Sequence, residues 1–237
     1  MPDFADAVRD LGLELDAEAF ERFRRYRDRV AGASFNLTAV REPALIERRH
    51  FLESIAFGRL LAERGLLEDA TRVLDIGSGA GFPGLPLRIA WPGLRLTLLE
   101  ANAKRCAFLR DLVGELGLVD VEVVKGRAEV AGRDPGHRGA YDLVVARAVA
   151  PLSVLVEYAL PLLREGGYLA ASKGSAAARE VEGAAAALDE LGGAVVESVP
   201  FQPPGGVRQT IVIVRKVGQT PERYPRRVGI PSKRPLS

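Results

Sequence analysis

Apolar positions in the first 65 or so residues recur at helical spacing. Phe20, Phe23 and Tyr26 fall on one stripe at i, i+3 and i+6, and Asp16 stands where an N-cap belongs. Leu45, Ile46, Phe51, Leu52, Ile55 and Leu60 continue a 3.6-residue period. The pattern predicts a small N-terminal helical subdomain, a cap over residues 1–68. Within it, Ala33-Ser-Phe-Asn-Leu-Thr-Ala-Val40 breaks the period and sets polar groups beside aromatic and aliphatic ones.

From Thr71 the pattern changes to short runs of Val, Leu and Ile, each followed by a turn and a helical stretch. The runs cover 72–76, 95–99, 121–124, 143–146, 168–172, 195–200 and 210–215. Near-continuous apolar strands alternating with helices predict a mostly parallel sheet covered on both faces. The expected fold class is therefore α/β: a Rossmann-like, doubly wound, seven-stranded core over residues 69–217. Crossover helices are predicted at Leu85–Ala90, Lys104–Leu116, Leu152–Leu163 and Ala176–Leu191, the last stopping at Gly192-Gly193. Phe201-Gln-Pro-Pro-Gly-Gly206 leaves no room for a crossover helix, so the last strand is expected to run antiparallel to its neighbour. Residues 218–237 remain as a basic C-terminal tail.

Composition narrows the classes. A chain of 237 residues, 47% of them hydrophobic, can bury a substantial core. No apolar run reaches the roughly 18 to 20 residues that span a bilayer, and the start Met-Pro-Asp-Phe lacks a basic and then apolar leader. A cytosolic monomer with no membrane partner is expected. Cys106 is the single cysteine, which excludes an internal disulfide, and His50 and His137 are the only histidines, so no metal site is expected. The net charge of +2 hides an asymmetry: Gln202–Ser237 holds eight basic residues and one acid, while the preceding chain is acidic. Such a segment suits a polyanionic partner, and also suits a merely solvated tail.

The chemistry concentrates at strand ends. The first strand closes in Asp75-Ile-Gly77-Ser78-Gly79-Ala-Gly81, followed by Phe82-Pro-Gly84. In open α/β sheets ligands bind at the carboxyl ends of the strands, beside the first strand. A nicotinamide fingerprint needs Gly-x-Gly-x-x-Gly/Ala, and the sixth position here is Phe82, which is too large. Asp75 can hydrogen-bond the turn's own N–H groups or a ligand's amino group. Glu100 ends the second strand, where a carboxylate accepts both ribose hydroxyls, or else merely precedes a helix cap. Gly126-Arg-Ala-Glu129 offers the N–H of Ala128 or Glu129 to an adenine edge. Arg147, in Ala146-Arg-Ala-Val-Ala-Pro151, is costly to bury unpaired; a ligand or carboxylate partner is expected unless it snorkels over Pro151. These residues favour S-adenosylmethionine over a nicotinamide cofactor.

Over nearly its full length the sequence resembles the RsmG (GidB) family of 16S ribosomal RNA guanine-N7 methyltransferases. The resemblance rests on Asn36-Leu-Thr38, Arg49-His-Phe-Leu-Glu-Ser54, Gly77-Ser-Gly-Ala-Gly-Phe-Pro-Gly-Leu-Pro86, Arg147-Ala-Val-Ala150, Ser172-Lys-Gly174 and the tail from Tyr224 to Leu236. Glu53 departs from the pattern, which more often has Asp. The resemblance implies a class I methyltransferase fold, with Gly77, Phe82, Glu100, Ala101, Asn102, Ala128, Glu129 and Arg147 around S-adenosylmethionine. It also implies a substrate in 16S ribosomal RNA or the small-subunit particle, near the decoding site.

The residue chemistry agrees. N7 of guanine carries a lone pair and no proton, so methyl transfer needs alignment and no general base. No histidine or activated cysteine lies in the turn motif, Cys106 is placed for packing, and no Asn/Asp-Pro-Pro-Tyr/Phe motif follows the fourth strand. Arg147 and Lys173 are the candidate catalytic residues: Arg147 toward the guanine O6 or the donor's carboxylate, Lys173 toward base or phosphate. Asn36 and His50 are candidates for the RNA side of the cleft, although His50 serves equally as a helix-packing residue. Arg226, Arg227, Lys233 and Arg234 are candidate RNA contacts in the tail. Two rival readings remain: a nicotinamide oxidoreductase, and an RNA-binding module with a vestigial pocket.

Overall fold

The chain is represented by a computed structural model describing residues 3–236. It begins with helices α1 (Phe4–Asp10) and α2 (Ala17–Ala31), then α3 (Pro43–Ile46), a π-helical segment (Glu47–Leu52) and α4 (Glu53–Ala62). Asp16 caps α2 as expected, its Oδ1 accepting from Ala19 N at 2.7 Å. Phe51 packs 5.0 Å, centroid to centroid, from both Phe23 and Tyr26. The same cluster continues through Leu85, Leu87 and Leu98, so the helical unit and one face of the sheet share a core.

The remaining elements are β1 (Arg72–Ile76), α5 (Gly84–Ala90), β2 (Arg95–Glu100), α6 (Ala103–Glu115), β3 (Val121–Lys125), α7 (Ala128–Ala131), β4 (Tyr141–Arg147), α8 (Leu152–Ala159), β5 (Leu163–Lys173), α9 (Ala177–Gly183), α10 (Ala185–Leu191), β6 (Gly193–Phe201), β7 (Gln209–Lys216) and α11 (Ile230–Lys233). They build a seven-stranded sheet in the order β3-β2-β1-β4-β5-β7-β6. The first five strands are parallel, and β7 runs antiparallel to both β5 and β6. All seven predicted strands form, and the short 202–208 connection has the predicted effect. The chain reverses beside β1, between β2 and β4, which leaves an opening at the strand ends there.

Two predicted helices differ in extent. The stretch predicted as Leu152–Leu163 ends at Ala159, because Leu163 pairs with Tyr141 as the start of β5. The stretch predicted as Ala176–Leu191 is two helices, α9 and α10, meeting at Ala184, which is fully buried. Gly183 beside it weakens the helical backbone at that point. The segment after β7 packs against the domain: Tyr224 is buried, and Arg138 donates to the carbonyls of Thr220 and Tyr224 at 2.9 and 2.8 Å. No helix among the described residues is long and apolar enough to cross a membrane.

Candidate functional site

The turn after β1 is held from several sides. Gly77 and Gly81 have φ of 69° and 100°, a region where a side chain is strained. A Cβ on Gly81 would lie 2.6 Å from the Tyr26 hydroxyl, which donates to Ala80 O at 2.6 Å. Thus α2 braces the turn directly. Leu99 O accepts from Gly77 N at 2.8 Å, and Ser78 Oγ donates to Asp75 O at 2.9 Å.

Asp75 lies beneath this turn and is fully buried. Its Oδ2 accepts from Gly84 N at 3.0 Å, fixing the start of α5, while Oδ1 has no protein partner. Loss of hydration pushes its pKa up to about 7, against the opposing pull of the Gly84 amide and Arg147. Asp75 thus hydrogen-bonds the start of α5 and lines neither of the two openings beside the turn. Glu100 joins the turn to the next strand end, with Oε2 accepting from Gly79 N at 3.0 Å and Oε1 from Asn102 N at 2.7 Å.

Two openings flank Gly77. The smaller, about 320 Å³, is lined by Gly77, Glu100, Ala101, Arg127, Ala128 and Glu129, and by Tyr158 and Ser232. The larger, about 760 Å³, is lined by Thr38, Arg49, His50, Glu53, Phe82, Arg147, Lys173, Arg208 and Gln209 among others. Gly77, Arg105 and Ala148 belong to both. Ala148 has φ of 56°, an unfavourable region for a residue with a Cβ, and this bend carries the chain between the two walls.

The larger cleft centres on Arg147. Its Nη1 donates to Glu53 Oε1 at 3.2 Å, and its guanidinium lies 5.4 Å from the centroid of Phe82. Glu53 is therefore the carboxylate partner that a half-buried arginine requires. Gln209 Nε2 also donates to Glu53 Oε1, at 3.0 Å, while its own Oε1 accepts from Ser172 Oγ. Phe82 is stacked between Tyr26 and His50, with centroids 5.3 and 4.5 Å away. His50 Nε2 is paired with Thr38 Oγ1 at 2.8 Å. Burial, and then the charge of Arg147, lowers the His50 pKa to about 4, so its ring is neutral at pH 7.

Several of the expected site residues have partners within the chain or stand apart from the expected opening. Lys173 borders the larger cleft, but only 7% of its side chain is exposed, and Nζ is taken by Ala150 O at 2.5 Å and Glu180 at 2.9 Å. These contacts tie Lys173 to the 147–151 loop and to α9. Arg226 is likewise committed, to the buried Glu157 at 2.6 Å. Asn102 caps α6, its Oδ1 accepting from Lys104 N and Arg105 N, and it lines neither opening. Phe82 borders the larger cleft instead of the smaller one. The Glu129 side chain turns away to accept from Gly229 N at 2.9 Å. Asn36 is exposed and accepts from Arg41 at 3.1 Å, outside the cleft lining. Arg227, Lys233 and Arg234 are exposed, as an RNA-facing role requires.

Sequence reasoning missed Arg49, Arg105, Tyr158, Arg208, Gln209 and Ser232 as lining residues. Arg208 and Gln209 had a usable signal, because a tight Gly-Gly turn before the antiparallel strand must lie at the same sheet edge as Lys173. Ser232 had none.

The doubly wound sheet, its glycine turn and the acidic end of β2 define the class: a Rossmann-like domain of the class I methyltransferase type. A structure of a SAM dependent methyltransferase from Aquifex aeolicus superposes with a TM-score of 0.52 at 22% identity, covering 74% of this chain and 94% of that one. A precorrin-6y C5,15-methyltransferase from Geobacter metallireducens gives 0.50 at 18%, covering 80% and 95%. At such identities the likeness concerns the fold alone. Residues 19–209 match the family model described as GidB, rRNA small subunit methyltransferase G. The chain is 49% identical to ribosomal RNA small subunit methyltransferase G of Roseiflexus castenholzii over 227 residues, 95% of each chain. It is 42% identical to that of Pelotomaculum thermopropionicum over 234 residues, 98% of this chain and 96% of the relative. The chain belongs to the rRNA small subunit methyltransferase G family.

Proposed function

We propose that the protein transfers a methyl group from S-adenosylmethionine to N7 of a guanine in 16S ribosomal RNA, near the decoding site. The observation that carries this reading is the pair of openings meeting at Gly77 and Ala148, one with the strand-end carboxylate Glu100 in its wall and the other with Arg49, Arg147 and Arg208 beside Glu53 and His50. The smaller opening suits the cofactor. Glu100 keeps lone pairs for two ribose hydroxyls beyond the two amides it already accepts. Gly77 leaves a cradle that a Cβ would crowd, 3.2 Å from Val149. Ala101, Ala128 and the Glu129 backbone would hold the adenine, and Gly77 the chain leading to the sulfur. When bound, S-adenosylmethionine supplies a sulfonium methyl electrophile.

The chain's own groups on the acceptor side are suited to an unprotonated ring nitrogen. His50 is neutral at pH 7, and it is stacked and hydrogen-bonded in place, so it is a wall of the cleft rather than a proton acceptor. N7 needs no base, because its lone pair attacks directly. Arg147 is fixed by Glu53 and Phe82 at the larger cleft, where a hydrogen bond to the guanine O6 would align N7 with the methyl group before transfer. Arg49 and Arg208 supply positive charge at the same cleft for the phosphate backbone. An rRNA substrate is consistent with action in the cytosol.

The test is methyl transfer from labelled S-adenosylmethionine to small-subunit RNA, offered naked and as partly assembled particles. Mass spectrometry of the digested RNA should find 7-methylguanosine at one nucleotide. A methyl group on a cytosine or an exocyclic amine, or tight binding of NAD in place of S-adenosylmethionine, would overturn the reading.

A further inference from the structure

Several contacts of the segment after β7 fall on α7, the residues just after it and the facing side of α8, around the smaller opening. Arg133, just past α7, donates to Pro225 O at 2.8 Å and to Arg223 O at 2.9 Å. Pro225 covers Gly132 so closely that a Cβ there would lie 2.9 Å from its ring. The Glu129 carboxylate, 4% exposed, accepts from Gly229 N. Ser232 Oγ pairs with the Tyr158 hydroxyl at 2.8 Å, and both residues line the opening.

A helix of four residues does not hold itself in place. No side chain caps the start of α7 either. Its position is set by what packs on it, namely α8 and the C-terminal segment. Yet Ala128 and Glu129 of this helix, and Ser232 of the segment, are walls of one opening. Whatever occupies that opening meets, on this side, a wall that is complete only while the segment is docked. Linkage then runs both ways: a ligand favouring the docked state stabilises docking, and docking strengthens the ligand by the same factor.

We propose that the C-terminal segment from Glu222 to Leu236 is a latch on the cofactor opening, with Glu129 and Ser232 as positioning residues that couple its docking to ligand binding. The proposal rests on reading that opening as the S-adenosylmethionine site. It assigns the segment a role within the chemistry of the pocket, apart from any contact its exposed cations make with RNA.

The experiment uses the full chain and S-adenosylhomocysteine, the demethylated product, as probe. Native-state hydrogen exchange should show the Gly229 amide slowed about tenfold or more at saturating probe, with β6 amides unchanged. In Arg133→Ala, whose side chain is outside the opening and leaves no buried charge behind, Gly229 should exchange faster and the probe should bind about fivefold more weakly. Arg133→Lys should fall between the two. If wild-type protein binds the probe while Gly229 exchange is unaffected, the latch is refuted. It is equally refuted if Arg133→Ala speeds Gly229 exchange and binds the probe as wild type does. A wild-type protein that does not bind the probe at all removes the cofactor reading, and the latch with it.

Discussion

Arg226 closes over the carboxylate of Glu157, which solvent does not reach. Glu157 Oε1 accepts from the Arg226 backbone N at 2.8 Å and from Nε at 3.0 Å, and Oε2 accepts from Nη2 at 2.6 Å. Removing the arginine leaves a buried carboxylate without its cation. Arg226→Met should therefore destabilise the fold by about 3 to 5 kcal/mol, and Glu157→Gln/Arg226→Met by markedly less. Urea unfolding of the two variants measures this; equal losses would show that the pairing itself is not what matters. Deletion from Tyr224 onward should destabilise for the same reason, in addition to any loss of RNA binding.

Arg147 should contribute to methyl transfer far more than to folding, because its guanidinium borders the cleft and its partners are few. Arg147→Ala should lower kcat/KM by about 100-fold, and Glu53→Gln by about tenfold through loss of orientation. Single-turnover methyl transfer alongside thermal melts separates the two effects. Wild-type turnover in Arg147→Ala would remove it from the mechanism.

Two groups tilt stability against pH in opposite senses. Asp75 has a folded pKa of about 7 against an ordinary 3.8, so folding takes up a proton between these values and stability falls as pH rises through that window. His50, at about 4 against 6.5, does the reverse: stability falls as pH drops from 6.5 toward 4. Asp75→Asn and His50→Gln should each remove one slope, at most about 1.4 kcal/mol per pH unit. Denaturant midpoints at pH 5, 6, 7 and 8 report this directly, and an unaltered profile in Asp75→Asn would contradict the burial argument.

Lys173 should behave as a structural cation. Lys173→Met strips a partner from Ala150 O and Glu180 and should cost about 2 to 3 kcal/mol. The dependence of RNA affinity on salt should not change. A slope reduced by about one unit would mean that Lys173 touches a phosphate after all.

The strands and the glycine turn were legible in the sequence because each is a local pattern: continuous apolar runs, and glycines where the backbone must adopt positive φ. Glu100 was legible for the same reason, as a charge at the end of an apolar strand. What stayed hidden depends on partners distant in sequence. The demand of Arg147 for a carboxylate was visible, but not that Glu53, on a helix of the N-terminal unit, would meet it. Lys173 and Arg226 looked like free cations because nothing local reveals Glu180 or Glu157. The tail looked like a charged appendage because its order comes from arginines donating to backbone carbonyls, which leave no hydrophobic period.

The antiparallel course of β7 decides where the 202–208 connection emerges. Because β7 starts beside the end of β5, with Thr210 opposite Lys173, the connection rises at the rim of the larger cleft and brings Gly205, Arg208 and Gln209 to it. A parallel β7 would have sent that loop to the opposite end of the sheet. On the proposed reading, a change in the length or charge of this connection would alter the acceptor side of the site and leave the backbone around the smaller opening as it is, so RNA selection and cofactor binding would be separable.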